Sequence, residues 1–465
     1  MRRRADRRAR RAWLLALGAV LGTPAHAQDA PARPVPASNR WQEDWSVLAD
    51  PALRDGALDG LKYRPLGGAG WLSLGLTLRE RFERNDAPGL GAAGQAADAD
   101  VLQRLQVHAD WHLDARWRVF AQLEDARAFD KASVTPVDKN PLDLRLAFLE
   151  TVVHRGADAF KARLGRQDFS FDLQRFVSSR DGPNVRQSFD AAWADWETPE
   201  WRVLGFVSRP VAYEDGKPFD DHSGADFRFH TLRVERHVLG GNELSAYWSL
   251  YERAHARYGD AAGRERRHVL DARFAGKSAP LDWDLEAMLQ GGRVGGSTIR
   301  AWALGAAGGW TARALPWTPR VGLQLDASSG DRRPGDATLG TFNPLFPNGA
   351  YFALAGYVGN ANLVQVKPQV TLHPAPGLSA TLGAGLLWRQ TTADAVYLQP
   401  NVPVAGTAGA PGRRSGTYWQ ARTDWRLGAP LTAALELVHE EVAAPLRHAG
   451  ARAGDYVGVE WKYAW

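Results

Sequence analysis

Trp71-Leu72-Ser73-Leu74-Gly75-Leu76-Thr77-Leu78-Arg79-Glu80-Arg81-Phe82-Glu83-Arg84 is the stretch whose reading decides the fold. Leu72, Leu74, Leu76, Leu78 and Phe82 hold alternate positions, and Ser73, Gly75, Thr77, Arg79, Arg81 and Glu83 fill those between. Side chains along a strand point to opposite faces in turn, so this alternation predicts a strand with one oily and one polar face. The pattern recurs at 101–113, where Leu105, Val107, Ala109, Trp111 and Leu113 alternate with Arg104, Gln106, His108, Asp110 and His112. Eighteen such segments can be counted, near 71–84, 101–113, 116–129, 142–154, 158–169, 187–197, 201–211, 227–237, 243–253, 267–276, 281–292, 299–312, 319–329, 362–373, 378–391, 416–426, 430–441 and 454–465.

Connection lengths alternate as well. Those after even-numbered strands are short, such as Asp114-Ala115 and Gly428-Ala429, whereas 85–100, 170–186, 212–226, 330–361 and 392–415 follow odd-numbered ones. Short turns at one end and long loops at the other are what outer-membrane barrels have. The fold class expected is therefore all-β, a transmembrane antiparallel up-and-down barrel of about eighteen strands. Trp111, Trp117, Trp193, Trp388, Trp425, Trp461 and Trp465 read as outward residues near strand ends, where interfacial aromatic girdles sit. In the last strand Trp461, Tyr463 and Trp465 form the terminal aromatic pattern that barrel-assembly machinery reads, so that machinery and outer-membrane lipid are expected partners.

The N-terminus supports export. Residues 2–11 hold seven arginines and one aspartate, an apolar run Trp13–Gly22 follows, and Ala25-His26-Ala27 is a small-x-small cleavage site. The expected division is a signal peptide at 1–27, a Pro-rich periplasmic lead-in at 28–70 and an outer-membrane barrel at 71–465. The signal carries a charge of +6 against +5 for the whole chain, leaving the mature part near −1. The basic pI of 9.4 therefore belongs mostly to a discarded segment, and no nucleic-acid partner is expected. The chain has no cysteine, which excludes thiol catalysis and thiolate metal sites.

Eighteen strands enclose a lumen wide enough for water. Arg79, Arg81, Arg104, Arg118, Arg145, Lys161 and Arg163 fall on the polar faces of the first five strands, and Asp282, Asp284 and Glu286 lie across the barrel. Such segregation makes either a cationic lane for carboxylated substrates or a set of ion pairs that keeps the lumen wet. The constriction candidates are Arg79, Arg104, Arg145, Arg163 and Arg389 with the acids Glu124 and Asp143. The Arg175–Arg186 segment either folds inward or remains a solvated extracellular loop.

Other constellations read as structural. His108 and His112 on one strand face are about 13 Å apart, too far for one ion. Asp168 and Asp172 near Arg166 read as partners in an Arg–Asp pair that holds a loop. Gly291–Gly296 lacks the Lys-Ser/Thr of a phosphate loop and reads as a tight turn. No cofactor, metal site or enzymatic activity is expected.

Three further stretches carry a resemblance: Leu164-Gly165-Arg166-Gln167-Asp168-Phe169 through Phe189-Asp190; Ser329-Gly330-Asp331 with Thr341–Gly349; and Asn362-Leu363 through Leu387-Trp388-Arg389 to Asp394-Ala395-Val396-Tyr397. Together they resemble the alginate export family of outer-membrane proteins, from about Trp41 to Trp465. The resemblance implies a monomeric eighteen-stranded barrel whose arginine-rich constriction passes a linear polyuronate. The expected function is an outer-membrane channel for an anionic polysaccharide, alginate or a related polyuronate, exported by passive diffusion, with periplasmic export partners. The alternative is a solute-specific uptake porin; an outer-membrane enzyme or adhesin is a different class and needs a plugged lumen.

Overall fold

The computed structural model describes residues 34–92, 94–238 and 242–465; the expected signal peptide and its cleavage after Ala27 lie outside them. Eighteen strands form the wall. They are β1 (Gly70–Asn85), β2 (Asp98–His112), β3 (Trp117–Phe129), β4 (Asn140–Arg155), β5 (Asp158–Gln167) and β6 (Phe189–Glu197). Next come β7 (Trp201–Pro210), β8 (Phe227–Val238), β9 (Asn242–Tyr258), β10 (Ala261–Ser278), β11 (Leu281–Val294) and β12 (Ser297–Thr311). The last six are β13 (Arg320–Ser328), β14 (Leu363–Ala375), β15 (Leu378–Arg389), β16 (Arg414–Arg426), β17 (Leu431–Val442) and β18 (Gly454–Ala464).

Each strand pairs antiparallel with its chain neighbours, and β18 returns to β1 with Arg79 opposite Lys462 and Leu78 opposite Tyr463. Closure leaves no sheet edge, the condition for strands to cross a bilayer. Leu164, Leu289 and Leu382 face outward with 67%, 62% and 61% of their surface exposed, while Arg79, Arg81 and Arg104 are buried within. That inversion of a soluble protein is what lipid outside and polar contacts inside produce. The start of β1, the end of β18 and the short turns share one end, the periplasmic one by this architecture.

Four details differ from the sequence reading. β9 and β10 run on to a turn at Gly259-Asp260, beyond the expected 253 and 267, because their pairing resumes after an irregularity between Arg253 and Ala256, which interrupts the alternation. The tight turn read at 291–296 is narrower: β11 reaches Val294 and Gly295-Gly296 alone make the reversal, with Gly295 at φ +53°. Trp193 faces the lumen, its ring 5.0 Å from the Arg163 guanidinium; on β6 it is Trp196, three residues on, that faces lipid. Trp465 likewise turns inward, its ring 4.5 Å from Lys62 Nζ.

The lumen is largely filled. Segments 168–188 and 340–362 fold inward and meet, Phe346 N–H donating to Phe176 C=O and Asn348 N–H to Gln174 C=O. Phe171, Phe176, Phe342 and Phe346 from these segments pack on Phe189, Phe206 and Phe229 of the wall. Apolar lumenal residues on β6–β8 thus have a dry partner, which the alternation alone does not announce. From the other end residues 37–63 enter the mouth, with Arg40, Trp45, Leu48 and Lys62 buried.

Candidate functional site: a constriction at an infolded loop

The inward course of 168–188 places Asp181-Gly182-Pro183-Asn184 beside β1 and β2. Arg79 donates to Asp181 C=O (2.9 Å), Pro183 C=O (3.2 Å) and Asn184 Oδ1 (2.8 Å). Arg81 donates to Gly182 C=O at 2.8 Å. Arg104 bonds the Asp181 carboxylate at 2.5 Å and Asn184 C=O at 3.2 Å. Asn184 Nδ2 donates to the carbonyls of Gln103, Arg127 and Asp138, locking the tip to β2, β3 and the next loop.

Arg79 and Arg104 are cross-strand partners, a like-charge juxtaposition that destabilises a bare sheet. The loop tip offsets it with carbonyls and one carboxylate. Burial alone would raise the Asp181 carboxyl, but Arg104, Arg186, Lys462 and Arg79 outweigh it and hold the group well below the usual carboxylate range.

This tip lies between two cavities. The extracellular one, about 250 Å³, is lined by Arg81, Lys131, Arg180, Gly182, Asn184 and Asn360 among others. The periplasmic one, about 640 Å³, is lined by Asp181, His373, Arg422, Asp424, Glu460 and Lys462 among others, on the β14–β18 side. Arg79, Arg81, Arg104 and Lys462 gather around Asp181 between them.

Of the seven residues expected at a constriction, Arg79 and Arg104 stand at this neck. Arg145 and Glu124 form its footing: Arg145 donates to Asp168 at 2.8 Å and lies 3.4 Å from Glu124. Arg163 sits apart, paired with Glu150 and covered by the Trp41 ring 4.0 Å away. Arg389 is at the extracellular end of β15, where it donates to five main-chain carbonyls of segment 392–412.

Asp143 lies under loop 211–226, accepting Asp221 N–H at 3.1 Å. With Asp220 and Asp221 it makes the carboxylate group, among the described residues, close enough to share a cation, though Arg166 4.0 Å away already offsets part of that charge. The loop-holding pairs are real but redistributed: Asp168 pairs with Arg145 and Arg186, Asp172 with Arg233, and Arg166 with Asp190. Alternation does not mark Arg81, Arg180, Asp181, Arg186 and Lys462 as neck residues; the Asp181-Gly182-Pro183 turn inside a basic segment is the one signal the sequence offers for them.

Burial, with Asp143 nearby, pushes the Asp221 carboxyl up to about 6, against donation from Glu214 N–H and Asn140. A carboxyl raised above its unfolded value favours the docked loop when protonated, so docking is strongest in acid and weakens as pH rises through about 6. Proteolysis within 211–226 is therefore expected to quicken between about pH 4 and 6 and to level off above, beyond the protease's own pH dependence. Asp221→Asn should flatten that rise; an unchanged rise would place the titration elsewhere.

Closed wall, lipid-facing exterior and constricted lumen define an outer-membrane β-barrel channel. The fold is shared with outer-membrane proteins of Pseudomonas aeruginosa. OpdK aligns at TM-score 0.56 and 11% identity, over 85% of this chain and 98% of that one. OccD3 (OpdP) aligns at 0.56 and 13%, over 93% and 99%, and OpdO at 0.56 and 14%, over 85% and 97%. One OpdK structure is with vanillate. Comparison with curated proteins gives no match. The alginate export family model matches residues 70–460, and the chain belongs to that family.

Proposed function

We propose that this channel passes a linear anionic polysaccharide, alginate or a related polyuronate, out of the periplasm by passive diffusion and without a catalytic step. The observation that carries the reading is the convergence of Arg79, Arg104, Arg186 and Lys462 on the single carboxylate of Asp181. A uronate carboxylate arriving from the periplasmic cavity finds the same cations. Guanidinium forks hold carboxylates with directed donors, and exchange between neighbouring forks lets a chain move without a deep trap. Family membership supports the substrate class. Reading of the terminal aromatics by barrel-assembly machinery, and periplasmic export partners, belong to the same proposal.

A second reading, a solute-specific uptake porin, is favoured by the small extracellular cavity of about 250 Å³, a size suited to one small carboxylate. Reversal potentials in planar bilayers under a salt gradient, with and without oligouronate, separate the two. The polyuronate reading expects anion selectivity, block by the oligomer, and an anion preference lowered at least about threefold by Arg81→Glu. A pore indifferent to the oligomer but blocked by a monocarboxylate would favour uptake.

A further inference from the structure

Residues 38–49 do more than enter the mouth. Arg40 donates to Leu76 C=O (2.9 Å), Thr77 Oγ1 (2.8 Å) and Trp465 C=O (3.0 Å), and its Nε is 2.6 Å from Glu43. Trp41 donates its indole N–H to Asp168 at 2.9 Å and stands edge-to-face on Phe148. Its carbonyl accepts from Arg118, and Arg186 reaches Ser38 C=O and Asn39 Oδ1 at 2.8 and 2.6 Å. Trp45 bonds Glu43, and Lys62 Nζ lies 4.8 Å from the Trp45 ring and 4.5 Å from the Trp465 ring. The segment is thus fastened to β18 and β1 on one side, to β3, β4 and β5 on the other, and above to the infolded loop.

Breaking buried bonds to charged groups is costly, so a segment tied by Arg40 to the Leu76 and Trp465 carbonyls, by Trp41 to Asp168 and by Arg186 to Ser38 and Asn39 is a fixed wall rather than a flap. It stands over Arg118 and Arg163, whereas none of its residues lines the cavity bounded by His373, Arg422 and Lys462. We infer that residues 38–49 are a specificity-determining inner wall: they seal the β1–β5 side of the lumen and confine solute to the β14–β18 side. The cations a solute meets are then those at the neck and along β14–β18, and the arginines behind the wall hold it in place. This holds whichever anion the channel carries.

The chain's lack of cysteine makes single thiols specific probes. Phe148→Cys lies behind Trp41 and Ser379→Cys lines the periplasmic cavity. In the assembled full chain, sulfonatoethyl methanethiosulfonate is expected to modify the thiol at 379 at least about tenfold faster than that at 148, and to reduce current only at 379. Adding Trp41→Ala should bring the rate at 148 up by a similar factor. Deleting 38–49 should at least about double single-channel conductance. Equal rates at the two thiols in the intact chain, an unmoved rate at 148 after Trp41→Ala, or unaltered conductance in an assembled deletion would each overturn the inference. If the deletion fails to assemble, the thiol rates still decide it.

Discussion

Deletion of residues 454–465 is expected to abolish the barrel outright. β18 is in register with β1 from Thr77–Ala464 to Asn85–Tyr456, and with β17 from Leu431–Tyr463 to Glu440–Gly454. Its loss turns β1 and β17 into open edges facing hydrocarbon, where each unpaired N–H or C=O costs several kcal/mol. Even a few such groups exceed the roughly 5–15 kcal/mol that a folded domain has in reserve. The N-terminal wall goes too, since Arg40 donates to the Trp465 carbonyl and Lys62 lies against its ring. Electrophoresis of outer membranes with and without boiling should therefore reveal no heat-modifiable species. A normal mobility shift in the truncated chain would mean that seventeen strands close by themselves and that β18 is dispensable to closure. Replacing only Trp461 and Tyr463 by alanine leaves every main-chain bond of the ladder in place, so an assembly defect in that variant would report the aromatic signal apart from closure.

The wall is legible in the sequence because lipid enforces the period-two code from outside. Leu72, Leu74, Leu76, Leu78 and Phe82 are oily whatever lies within, Glu80 in the same row being paired with Gln103, and the same pattern recurs around the barrel. The interior has no such enforcer. Where an infolded segment supplies an apolar partner, lumenal positions become aromatic, as at Phe189, Phe206 and Phe229, and Trp193 is then easily assigned to the wrong face. Residues 38–49 have no periodicity to read, and their place depends on contacts such as Arg40 with Trp465, 425 residues apart in the chain. Alternation puts Arg79, Arg104, Arg163 and Arg389 on the lumenal face correctly. Which of them meets solute depends on what folds over each, and that is written in segments 38–49, 168–188 and 390–413 rather than in the strands.

Arg389 marks the difference most sharply, and Arg389→Ala is expected to loosen the extracellular segment 390–413 while leaving ion selectivity as it was. Its guanidinium is buried and donates to the carbonyls of Thr392, Asp394, Thr407, Ala410 and Gly412, drawing both limbs of the segment onto the end of β15. Bonds from a charged donor contribute about 1.5–3 kcal/mol each, and buried carbonyls left without a donor cost about 1–3 more. Water will reach some of the freed carbonyls, so a local loss of about 3–5 kcal/mol is the scale to expect. That corresponds to a population of opened segment raised about 150-fold to several thousandfold, which limited proteolysis within 390–413 reads directly. Arg389→Lys should restore only part of the protection, because an ammonium has three donors at one point and cannot span five carbonyls. The barrel itself should keep its heat-modifiable mobility, since β15 retains its ladders to β14 and β16. The opposite pattern, a protease-resistant segment with a reversal potential moved toward cations, would return Arg389 to the solute's path and make the carbonyl cluster incidental.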